Sequence, residues 1–427
     1  MTYDQALEYL ASLNKFGMNF GLERIEKLLE LMRHPERRFK SIHITGTNGK
    51  GSTTAMLAAI LTASGIKTAR YTSPHLLDYT ERMTINSEPA ARSAFAEAIA
   101  HTSRFVAEMT AGGWEHPTEF EVLTAAAFHY FAAAGVEYAV IEVGLGGLLD
   151  STNVIIPELA VITNVTLEHT DRCGNTVAEI AHHKAGIIKQ GAPVITAAAG
   201  EALAVIGKTA ADKAAPLYVA GRDFTGLGSG LTGRCQSVTV TTRRYGDLGP
   251  FSLALLGRHQ AENCALAVMA SRVLAEREPR ITTAAIGQAL STVVWPGRFE
   301  VVGNQPTVIL DGAHNPDGAR ALRATLDEVC PGREIVFLLG VLADKDVVGI
   351  TGALIRAEDA AVVVRPESER AADPAAVARL LATSRVQTVA SIEEGYARAL
   401  GLAGPDGVVC VAGSLYLIGA ARAVICK

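Results

Sequence analysis

The residues with the clearest chemical purpose form a glycine-rich loop, Thr45-Gly46-Thr47-Asn48-Gly49-Lys50-Gly51-Ser52. Apolar residues 41–45 precede the loop and small or apolar residues 51–64 follow it, which predicts a strand, a loop and a helix. Glycines let a backbone wrap a phosphate, and the start of the helix adds amide donors. The loop therefore predicts binding of a nucleotide phosphate. An ordinary glycine turn is the alternative, since Ile44 and Gly51 break the strict phosphate-loop pattern.

Within this loop, two side-chain types suit a nucleoside triphosphate. The ammonium of Lys50 can bridge the β- and γ-phosphates, and the hydroxyl of Ser52 or Thr53 can bind Mg²⁺. These residues indicate nucleotide binding, but they do not indicate which reaction follows.

Further polar side chains follow other apolar runs. Glu142 ends the run 138–143 directly before a glycine-rich turn, and His169 follows the run 159–163. Carboxyl ends of parallel strands meet at one edge of a sheet, so we expect both side chains at that edge. An ordinary solvated glutamate is the alternative for Glu142.

The elements that must position these residues alternate along most of the chain. Short apolar runs and longer amphipathic stretches predict a parallel sheet with helices on both faces. The predicted strands are residues 41–45, 67–72, 138–143, 159–163, 308–310, 334–339, 361–364 and 408–412, and the predicted helices include 51–64, 88–110, 118–134 and 260–275. Residues 217–256, rich in valine, threonine and glycine, predict a small antiparallel insert.

The segment Trp295-Pro296-Gly297-Arg298 is typical of a linker between domains. We therefore predict two domains, residues 1–296 and 297–427. The predicted fold class is α/β, with an N-terminal P-loop-type doubly wound, mostly parallel sheet that carries the insert. A smaller Rossmann-like α/β domain follows it.

Composition excludes several other classes of protein. The 427 residues are 49% hydrophobic and 19% charged, which excludes a disordered chain, and the formal net charge of -5 excludes a strongly basic nucleic-acid surface. The six cysteines form no CxxC pair, which favours reduced core thiols. No apolar run approaches the roughly 20 residues that span a bilayer. We predict a cytoplasmic protein with neither membrane nor nucleic-acid partners.

The glycine-rich loop resembles the variant phosphate loop of the Mur-type amide ligases. Among these, the whole chain resembles the folylpolyglutamate synthase and dihydrofolate synthase family. Each matching motif is weak alone, but their order from Gly21 to Arg422 makes the resemblance specific. The motifs are Gly21-Leu22-Glu23-Arg24, Ser73-Pro74-His75-Leu76, Thr118-Glu119-Phe120-Glu121, Glu142-Val143-Gly144-Leu145-Gly146-Gly147, Asp150-Ser151-Thr152-Asn153, His169-Thr170-Asp171, Lys184-Ala185-Gly186-Ile187, His259-Gln260, Pro296-Gly297-Arg298, Asp311-Gly312-Ala313-His314-Asn315-Pro316 and Gly413-Ser414-Leu415.

The resemblance implies an ATP-dependent amide ligase that adds L-glutamate to the γ-carboxylate of a folate through an acyl phosphate, giving ADP and phosphate. Addition of L-glutamate to dihydropteroate would be a second activity. The alternatives are chain extension only, a Mur-type ligase for another carboxylate such as a cell-wall precursor, or a regulatory ATP-binding protein. Only about 40 residues precede the first strand, which disfavours the cell-wall enzymes and their extra N-terminal module.

The resemblance also implies roles for individual residues. Lys50, Lys184, His169 and Arg298 would be catalytic. The ATP-binding residues would be Thr47, Asn48, Gly49, Lys50, Gly51, Ser52, Asn263, Arg298, Asp311 and His314. Two Mg²⁺ ions would be bound by Ser52, Ser73, Glu142, His169 and Lys184, the last carrying a CO₂-derived carbamate. Folate would contact Leu22, Glu23, Arg24, Thr118, Glu119, Phe120, Leu149, Asp150 and Ser151.

Several of these roles have plainer alternatives. Lys184 or Arg298 could form an ordinary salt bridge, His314 could satisfy its own turn, and Phe120 could be a core aromatic. Many family members have arginine where this chain has Leu148. This difference concerns the details of substrate recognition and not the class of reaction. Candidates for binding the incoming glutamate are Asp344, Lys345, Asp346, Arg365 and Arg370, with solvated surface charge as the alternative. We expect ATP to contact both domains of a monomer.

Overall fold

The computed structural model describes residues 1–17, 19–168, 170–232 and 234–426. The strands, in chain order, are β1 (Lys40–Thr45), β2 (Thr68–Tyr71), β3 (Met83–Ile85), β4 (Glu88–Pro89), β5 (Tyr138–Glu142), β6 (Leu159–Ile162), β7 (Val194–Thr196), β8 (Leu217–Val219), β9 (Phe224–Thr232), β10 (Cys235–Thr242), β11 (Gly246–Leu253), β12 (Glu300–Asn304), β13 (Thr307–Asp311), β14 (Ile335–Leu339), β15 (Ala360–Val363), β16 (Val386–Thr388) and β17 (Val408–Ala412).

The α-helices are α1 (Tyr3–Ser12), α2 (Glu23–Leu31), α3 (Lys50–Ala63), α4 (Arg92–Ala111), α5 (Glu119–Ala133), α6 (Thr170–Cys173), α7 (Val177–Ala185), α8 (Gly200–Asp212), α9 (Arg258–Ala275), α10 (Thr283–Thr292), α11 (Pro316–Val329), α12 (Val347–Leu354), α13 (Pro374–Ala378), α14 (Ile392–Ala403) and α15 (Leu415–Ile425). Short 3-10 helices span Asn14–Phe16, Pro35–Arg37, Tyr79–Arg82 and Ser151–Val154.

These elements form two compact units. The first contains Met1–Leu227, Val238–Leu253 and Glu262–Val293, and the second contains Gly228–Ser237, Ala254–Ala261 and Val294–Lys427. Two short segments of the insert region thus group with the C-terminal unit. The functional division at residue 296 remains a prediction.

The first unit is built on an eight-stranded sheet with the order β4-β3-β2-β5-β1-β6-β7-β8. Six of its strands run parallel, from β2 to β8, while β3 and β4 extend it as antiparallel strands. The central strand β5 is buried along its whole length, as expected for a strand with helices on both faces. This arrangement confirms the predicted α/β class and brings four strand ends, those of β2, β5, β1 and β6, side by side.

The starts of several helices follow from local sequence. Thr2, Thr118 and Thr176 cap α1, α5 and α7, and each accepts a hydrogen bond from the backbone three residues later, where a glutamine or glutamate side chain bonds back. This reciprocal capping box satisfies amides that a helix start leaves unpaired. It fixes where α5 and α7 begin, and these two helices carry several of the predicted site residues.

Two sequence predictions differ in detail from the structure. The region 217–256 is not entirely an antiparallel insert, because β8 pairs in parallel with β7 and only β9, β10 and β11 form the separate three-stranded sheet. The predicted helix 88–110 begins later, as α4. Asn86 and Ser87 have φ values of 50° and 70°, which suit a tight hairpin turn, so the chain forms β4 before the helix starts.

The second unit has a six-stranded sheet with the order β12-β13-β17-β14-β15-β16. Only the pair β12–β13 is antiparallel, and the others are parallel, as predicted for a smaller Rossmann-like domain. The predicted strand 408–412 corresponds to β17, and α15 follows it. Among the described residues, no helix is long and apolar enough to cross a membrane.

A buried ion pair lies within the second unit. Asp359 is 1% exposed and its Oδ2 accepts a hydrogen bond of 2.9 Å from Arg323 Nη1. The same arginine bonds Asp327, which also pairs with the exposed Arg356. Removing one partner of a buried pair leaves an uncompensated charge.

We therefore expect Arg323→Ala to lower the free energy of unfolding by about 3–5 kcal/mol. The matched control is Arg356→Ala, which removes an exposed partner of Asp327 and should cost about 0–1 kcal/mol. Urea unfolding followed by circular dichroism measures both. Equal losses in the two variants would contradict a special role for the buried pair.

Candidate functional site

The glycine-rich loop joins β1 to α3, and its conformation requires glycine. Gly46 and Gly49 have φ values of 151° and 86°, which side-chain-bearing residues rarely adopt. A Cβ atom at Gly46 would overlap Thr163 Oγ1, and one at Gly49 would overlap Asn263 Oδ1. The backbone of the loop therefore packs directly on polar side chains from two other elements.

The residues that follow β6 hold this loop in place. Thr163 Oγ1 donates a hydrogen bond of 2.6 Å to Asn48 O, and Asn48 N donates one of 2.8 Å to Asn164 Oδ1. Thr47 N donates to Asn164 O at 2.9 Å. Thr163 and Asn164 were not among the predicted site residues. Their position directly after a buried strand beside β1 is the signal that could have identified them.

Lys50 lies over the loop that precedes it. Its Nζ donates hydrogen bonds to Gly46 O at 2.8 Å and to Thr47 O at 3.0 Å. The ammonium is thereby kept close to the backbone that would surround a phosphate. Ser52 is buried, with 3% exposure, in the first turn of α3.

Glu142 and Ser73 meet at the same sheet edge. Glu142 lies beside Ile44 in the pairing of β5 with β1, and its side chain is buried. Ser73 follows β2, the other neighbour of β5, and its amide donates to Glu142 Oε2 at 3.4 Å. The structure thus brings together the phosphate loop and two of the predicted metal ligands. Glu142 is therefore not an ordinary solvated glutamate.

Lys184, in the last turn of α7, is also buried, with 6% exposure. Burial, assisted by the charge of Lys50, lowers the pKa of its ammonium to about 7, while Cys173 and Glu168 act in the opposite direction. A substantial fraction of this side chain is therefore an unprotonated amine near neutral pH.

The predicted metal set is only partly described. His169 lies outside the described residues. Within the described ranges, no group of three or more histidine, cysteine, aspartate or glutamate side chains is placed to hold a metal ion. The predicted set instead depends on serine hydroxyls, Glu142, His169 and a modified Lys184.

Among the predicted folate residues, Asp150 closes the glycine-rich turn after β5. Its carboxylate accepts hydrogen bonds from Leu145 N at 2.8 Å, Thr152 N at 3.0 Å and Thr152 Oγ1 at 2.5 Å. Burial raises the pKa of this carboxyl group although these hydrogen bonds lower it. Ser151 is 9% exposed and Leu149 is 38% exposed, so Leu149 is the more accessible of the two.

Phe120 packs against the core of the first unit and also against the glycine-rich turn. A Cβ atom at Gly144 would come within 2.6 Å of Phe120 Cζ, so the two residues are in close contact. Tyr71 lies near the same ring, with ring centroids 6.1 Å apart. Phe120 therefore has the contacts of a core aromatic, and its role in a folate pocket remains a prediction.

The remaining predicted folate residues belong to α2 and α5. Arg24 is buried, and its Nε donates to Glu121 Oε2 at 3.2 Å. The same oxygen accepts hydrogen bonds from Thr118 N at 2.7 Å and from Thr118 Oγ1 at 2.9 Å. Glu121 was not predicted as a site residue, although the capping-box spacing from Thr118 could have identified it.

Leu22 and Glu23 precede and begin α2, and Leu22 packs against the core of the first unit. Glu119, in the first turn of α5, accepts a hydrogen bond of 2.9 Å from Tyr79 OH. The predicted folate residues thus include several that also hold the local structure together.

In the second unit, Arg298, Asp311 and His314 lie around one turn. The Asp311 carboxylate accepts hydrogen bonds from Phe299 N at 2.8 Å and Ala313 N at 2.9 Å. Burial raises the pKa of this carboxyl group, and the charge of Arg298 opposes the shift. His314 Nδ1 is 2.7 Å from Gly312 O, as expected for a histidine that satisfies its own turn.

The candidates for binding the incoming glutamate differ from one another. Arg370 Nη1 donates to Asp344 Oδ2 at 3.1 Å, and Nη2 donates to Tyr416 OH at 3.3 Å. Asp346 instead caps α12, since its Oδ1 accepts from Gly349 N at 2.8 Å. Asp346 thus has a structural role whether or not it also contacts a substrate. Lys345 and Arg365 follow β14 and β15, respectively.

Two domain families match this chain. The Mur ligase middle domain matches residues 44–127 and 115–271, and the Mur ligase glutamate ligase domain matches residues 297–415. Together these two matches cover most of both predicted domains.

Curated relatives extend the match to nearly the whole chain. The chain is 35% identical to the folylpolyglutamate synthase of Lacticaseibacillus casei over 99% of this chain and 98% of that protein. It is 30% identical to the dihydrofolate synthase/folylpolyglutamate synthase of Escherichia coli K12, over 98% and 94%. It is 37% identical to a probable bifunctional folylpolyglutamate synthase/dihydropteroate synthase of Haloferax volcanii, but it spans only 50% of that protein.

Solved structures agree with these relatives. The fold matches Mycobacterium tuberculosis folylpolyglutamate synthase complexed with ADP and AMPPCP, with a TM-score of 0.91, 32% identity, and coverage of 100% of this chain and 99% of that one. It also matches an FPGS-AMPPCP-folate complex, with a TM-score of 0.87, 33% identity and full coverage of both chains.

The close contact between Gly49 and Asn263 predicts that alanine at position 49 impairs nucleotide binding, whereas alanine at an uncrowded glycine does not. Gly49→Ala should abolish ATP binding, because its new methyl group would displace Asn263 and move the loop. The matched control is Gly113→Ala, since Gly113 has a φ of 87° but no atom within 4 Å of the position that a Cβ would occupy.

Both variants carry similar backbone strain, on the order of 1 kcal/mol. Only Gly49→Ala should lose binding of an ATP analogue in isothermal titration calorimetry. Loss of binding in both variants would show that strain, and not the contact with Asn263, is responsible.

Proposed function

The chain belongs to the folylpolyglutamate synthase/dihydrofolate synthase family of Mur-type ligases, and we propose that it uses ATP to join L-glutamate to the γ-carboxylate of a folate. The observation that carries this proposal is the meeting of the phosphate loop, Glu142 and Ser73 at one sheet edge, together with a Lys184 whose pKa is lowered by burial and by Lys50. The names of the relatives support folate as the substrate, and the residues at the sheet edge support transfer of a phosphoryl group.

The reaction has two steps. A carboxylate oxygen of folate attacks the γ-phosphorus of ATP, the bond from that phosphorus to the β,γ-bridging oxygen breaks, and ADP leaves. The amino nitrogen of L-glutamate, once it has lost a proton to water, attacks the carbon of the acyl phosphate; phosphate leaves, and the nitrogen loses a second proton to give the amide. Both steps bring negatively charged groups together, so cations and fixed donors must offset the charge.

The chain's own residues supply part of this compensation. The loop amides and the start of α3 suit the phosphates, and Lys50 already lies over the loop. Asn263, which contacts Gly49, is proposed to bind the adenine through its amide. Arg298, Asp311 and His314 are proposed to bind the transferred phosphate and the ribose.

We propose that two Mg²⁺ ions bind at this edge. Ser52, Ser73 and Glu142 would hold one ion, and His169 with a carbamylated Lys184 would be close to the second. When bound, Mg²⁺ offsets the charge of the phosphates. The chemistry of Lys184 fits a carbamate, since only an unprotonated amine adds to CO₂ and its pKa is lowered to about 7. Carbamylation would also replace the ammonium of Lys184, which the charge of Lys50 repels, with an anion.

The folate site is proposed to lie around Phe120, Leu149 and the glycine-rich turn that Asp150 closes. Leu148, which precedes this group, offers no charge to a substrate. The C-terminal candidates for the incoming glutamate are Lys345, Arg365 and Arg370, because cations suit its carboxylates.

A second activity is the addition of L-glutamate to dihydropteroate, giving dihydrofolate. The names of several relatives, including the Escherichia coli protein, combine dihydrofolate synthase with folylpolyglutamate synthase, which favours this second activity. We further propose a cytoplasmic monomer with small-molecule substrates and without membrane or nucleic-acid partners.

The proposed role of Lys184 predicts that removing its amine causes a loss of activity that added bicarbonate cannot reverse. Lys184→Ala should reduce kcat at least about a hundredfold, as is typical when charge compensation in a phosphoryl transfer is removed, and added bicarbonate should not restore it. The control is Lys208→Ala, which truncates an exposed lysine of α8 and should keep full activity. Full activity of Lys184→Ala would contradict the assignment.

Mass spectrometry of the products tests the substrate. The protein, ATP, Mg²⁺ and L-glutamate are incubated with dihydropteroate in one reaction and with a reduced monoglutamyl folate in another. We expect a glutamyl addition to the folate, and an addition to dihydropteroate if both activities are present. If neither acid gains glutamate while another acid supports ATP hydrolysis, the folate proposal is wrong.

A further inference from the structure

The loop that follows β2 and ends in the 3-10 helix Tyr79–Arg82 lies next to two predicted site residues. It begins near Ser73, whose amide contacts Glu142, and its Tyr79 OH donates a 2.9 Å hydrogen bond to Glu119 Oε1. Glu119 is one of the predicted folate residues. The loop therefore runs from the predicted metal edge, at Ser73, to the predicted folate pocket, where Tyr79 contacts Glu119.

Asp78 organises the loop from within. Its Oδ1 accepts hydrogen bonds from Thr80 N at 3.0 Å and Thr80 Oγ1 at 2.8 Å. Glu81 completes the arrangement, since its carboxylate accepts hydrogen bonds from Leu76 N, Leu77 N and Asp78 N at 2.8, 3.0 and 2.9 Å. The two carboxylates thus fix the backbone from residue 76 to residue 81.

The same Asp78 is bound from outside the loop by two helices. Tyr3 OH, from the first turn of α1, donates a 2.6 Å hydrogen bond to Asp78 Oδ1. Arg92, from the start of α4, donates to Asp78 Oδ2 through Nε at 3.2 Å and Nη2 at 2.8 Å. Tyr3 and Asp78 are far apart in sequence, so these bonds tie the N-terminal helix to the loop.

The tyrosine is itself held in this position. Its ring packs edge-on against Phe95, with centroids 5.6 Å apart, and the Arg92 guanidinium lies 4.9 Å from its ring centroid. Burial raises the pKa of the Tyr3 hydroxyl, and the hydrogen bond to Asp78 raises it further. The hydroxyl therefore remains protonated and available as a donor at neutral pH.

We propose that Tyr3 is a positioning residue for the folate substrate: through Asp78, helix α1 holds the 76–82 loop in the conformation that places Tyr79 against Glu119. The inference rests on the proposed function for the identity of the substrate. It adds the N-terminal helix, which no motif of the sequence indicates, to the set of elements that determine substrate affinity.

The chain offers a closely matched control for this proposal. Tyr9 also lies on α1 and also packs against the core of the first unit. Its hydroxyl is buried and makes no hydrogen bond with any described residue. Tyr3→Phe and Tyr9→Phe thus remove the same atom from the same helix, but only the first removes a bond to the loop.

The experiment measures the KM for the folate, the KM for ATP and kcat for both variants, and amide hydrogen exchange of residues 76–82. For Tyr3→Phe we expect the KM for folate to rise about three- to tenfold, as for one lost charge-assisted hydrogen bond, with kcat and the KM for ATP within about twofold of wild type. Exchange in the loop should be faster. Tyr9→Phe should match the wild type in every measurement.

A Tyr3→Phe variant with an unchanged KM for folate and unchanged exchange would overturn the inference. Equal rises in the KM for folate and for ATP would also overturn it, because they would indicate a general loss of structure. If the wild-type protein fails to add glutamate to any folate, the proposed function fails, whereas unchanged exchange in Tyr3→Phe defeats only the role of Tyr3.

Discussion

The close packing of the phosphate loop on its neighbours is the constraint on which the site depends. The loop can approach Thr163 and Asn263 only because Gly46 and Gly49 lack side chains, and Thr163 and Asn164 then bind its backbone directly. This contact joins the ends of β1 and β6. With β5 and β2 next in the sheet, Glu142 and Ser73 necessarily lie at the same edge.

Electrostatics at this edge follow from the same geometry. The charge of Lys50 disfavours protonation of Lys184, and burial of Lys184 removes the water that would screen this repulsion. Two neighbouring cations form an unfavourable charge distribution, which an anionic substrate or modification relieves. This repulsion is a consequence of the fold, which places a buried lysine near the lysine of the phosphate loop.

Sequence reasoning was most successful where a function depends on neighbours in the chain. The strand, loop and helix around Lys50, and the position of Glu142 at the end of β5, are local patterns and were predicted correctly. The contacts of Thr163 with Asn48 and of Tyr3 with Asp78 join residues 115 and 75 positions apart. Neither spacing nor composition encodes such pairs. The same holds for β8, whose partner β7 determines that it belongs to the large sheet and not to the insert.

The buried network of Arg24, Glu121 and Thr118 has a consequence for how substitutions in the folate region are interpreted. One carboxylate serves both an arginine from α2 and the cap of α5, so a change at Arg24 also disturbs the start of the helix that carries Phe120. The kinetic effect of a single substitution in this network therefore has two sources. One is the contact that is lost, and the other is the displacement of neighbouring residues. Only a double-mutant cycle between Arg24 and Glu121 separates the two contributions, and the effects of the two substitutions should be far from additive.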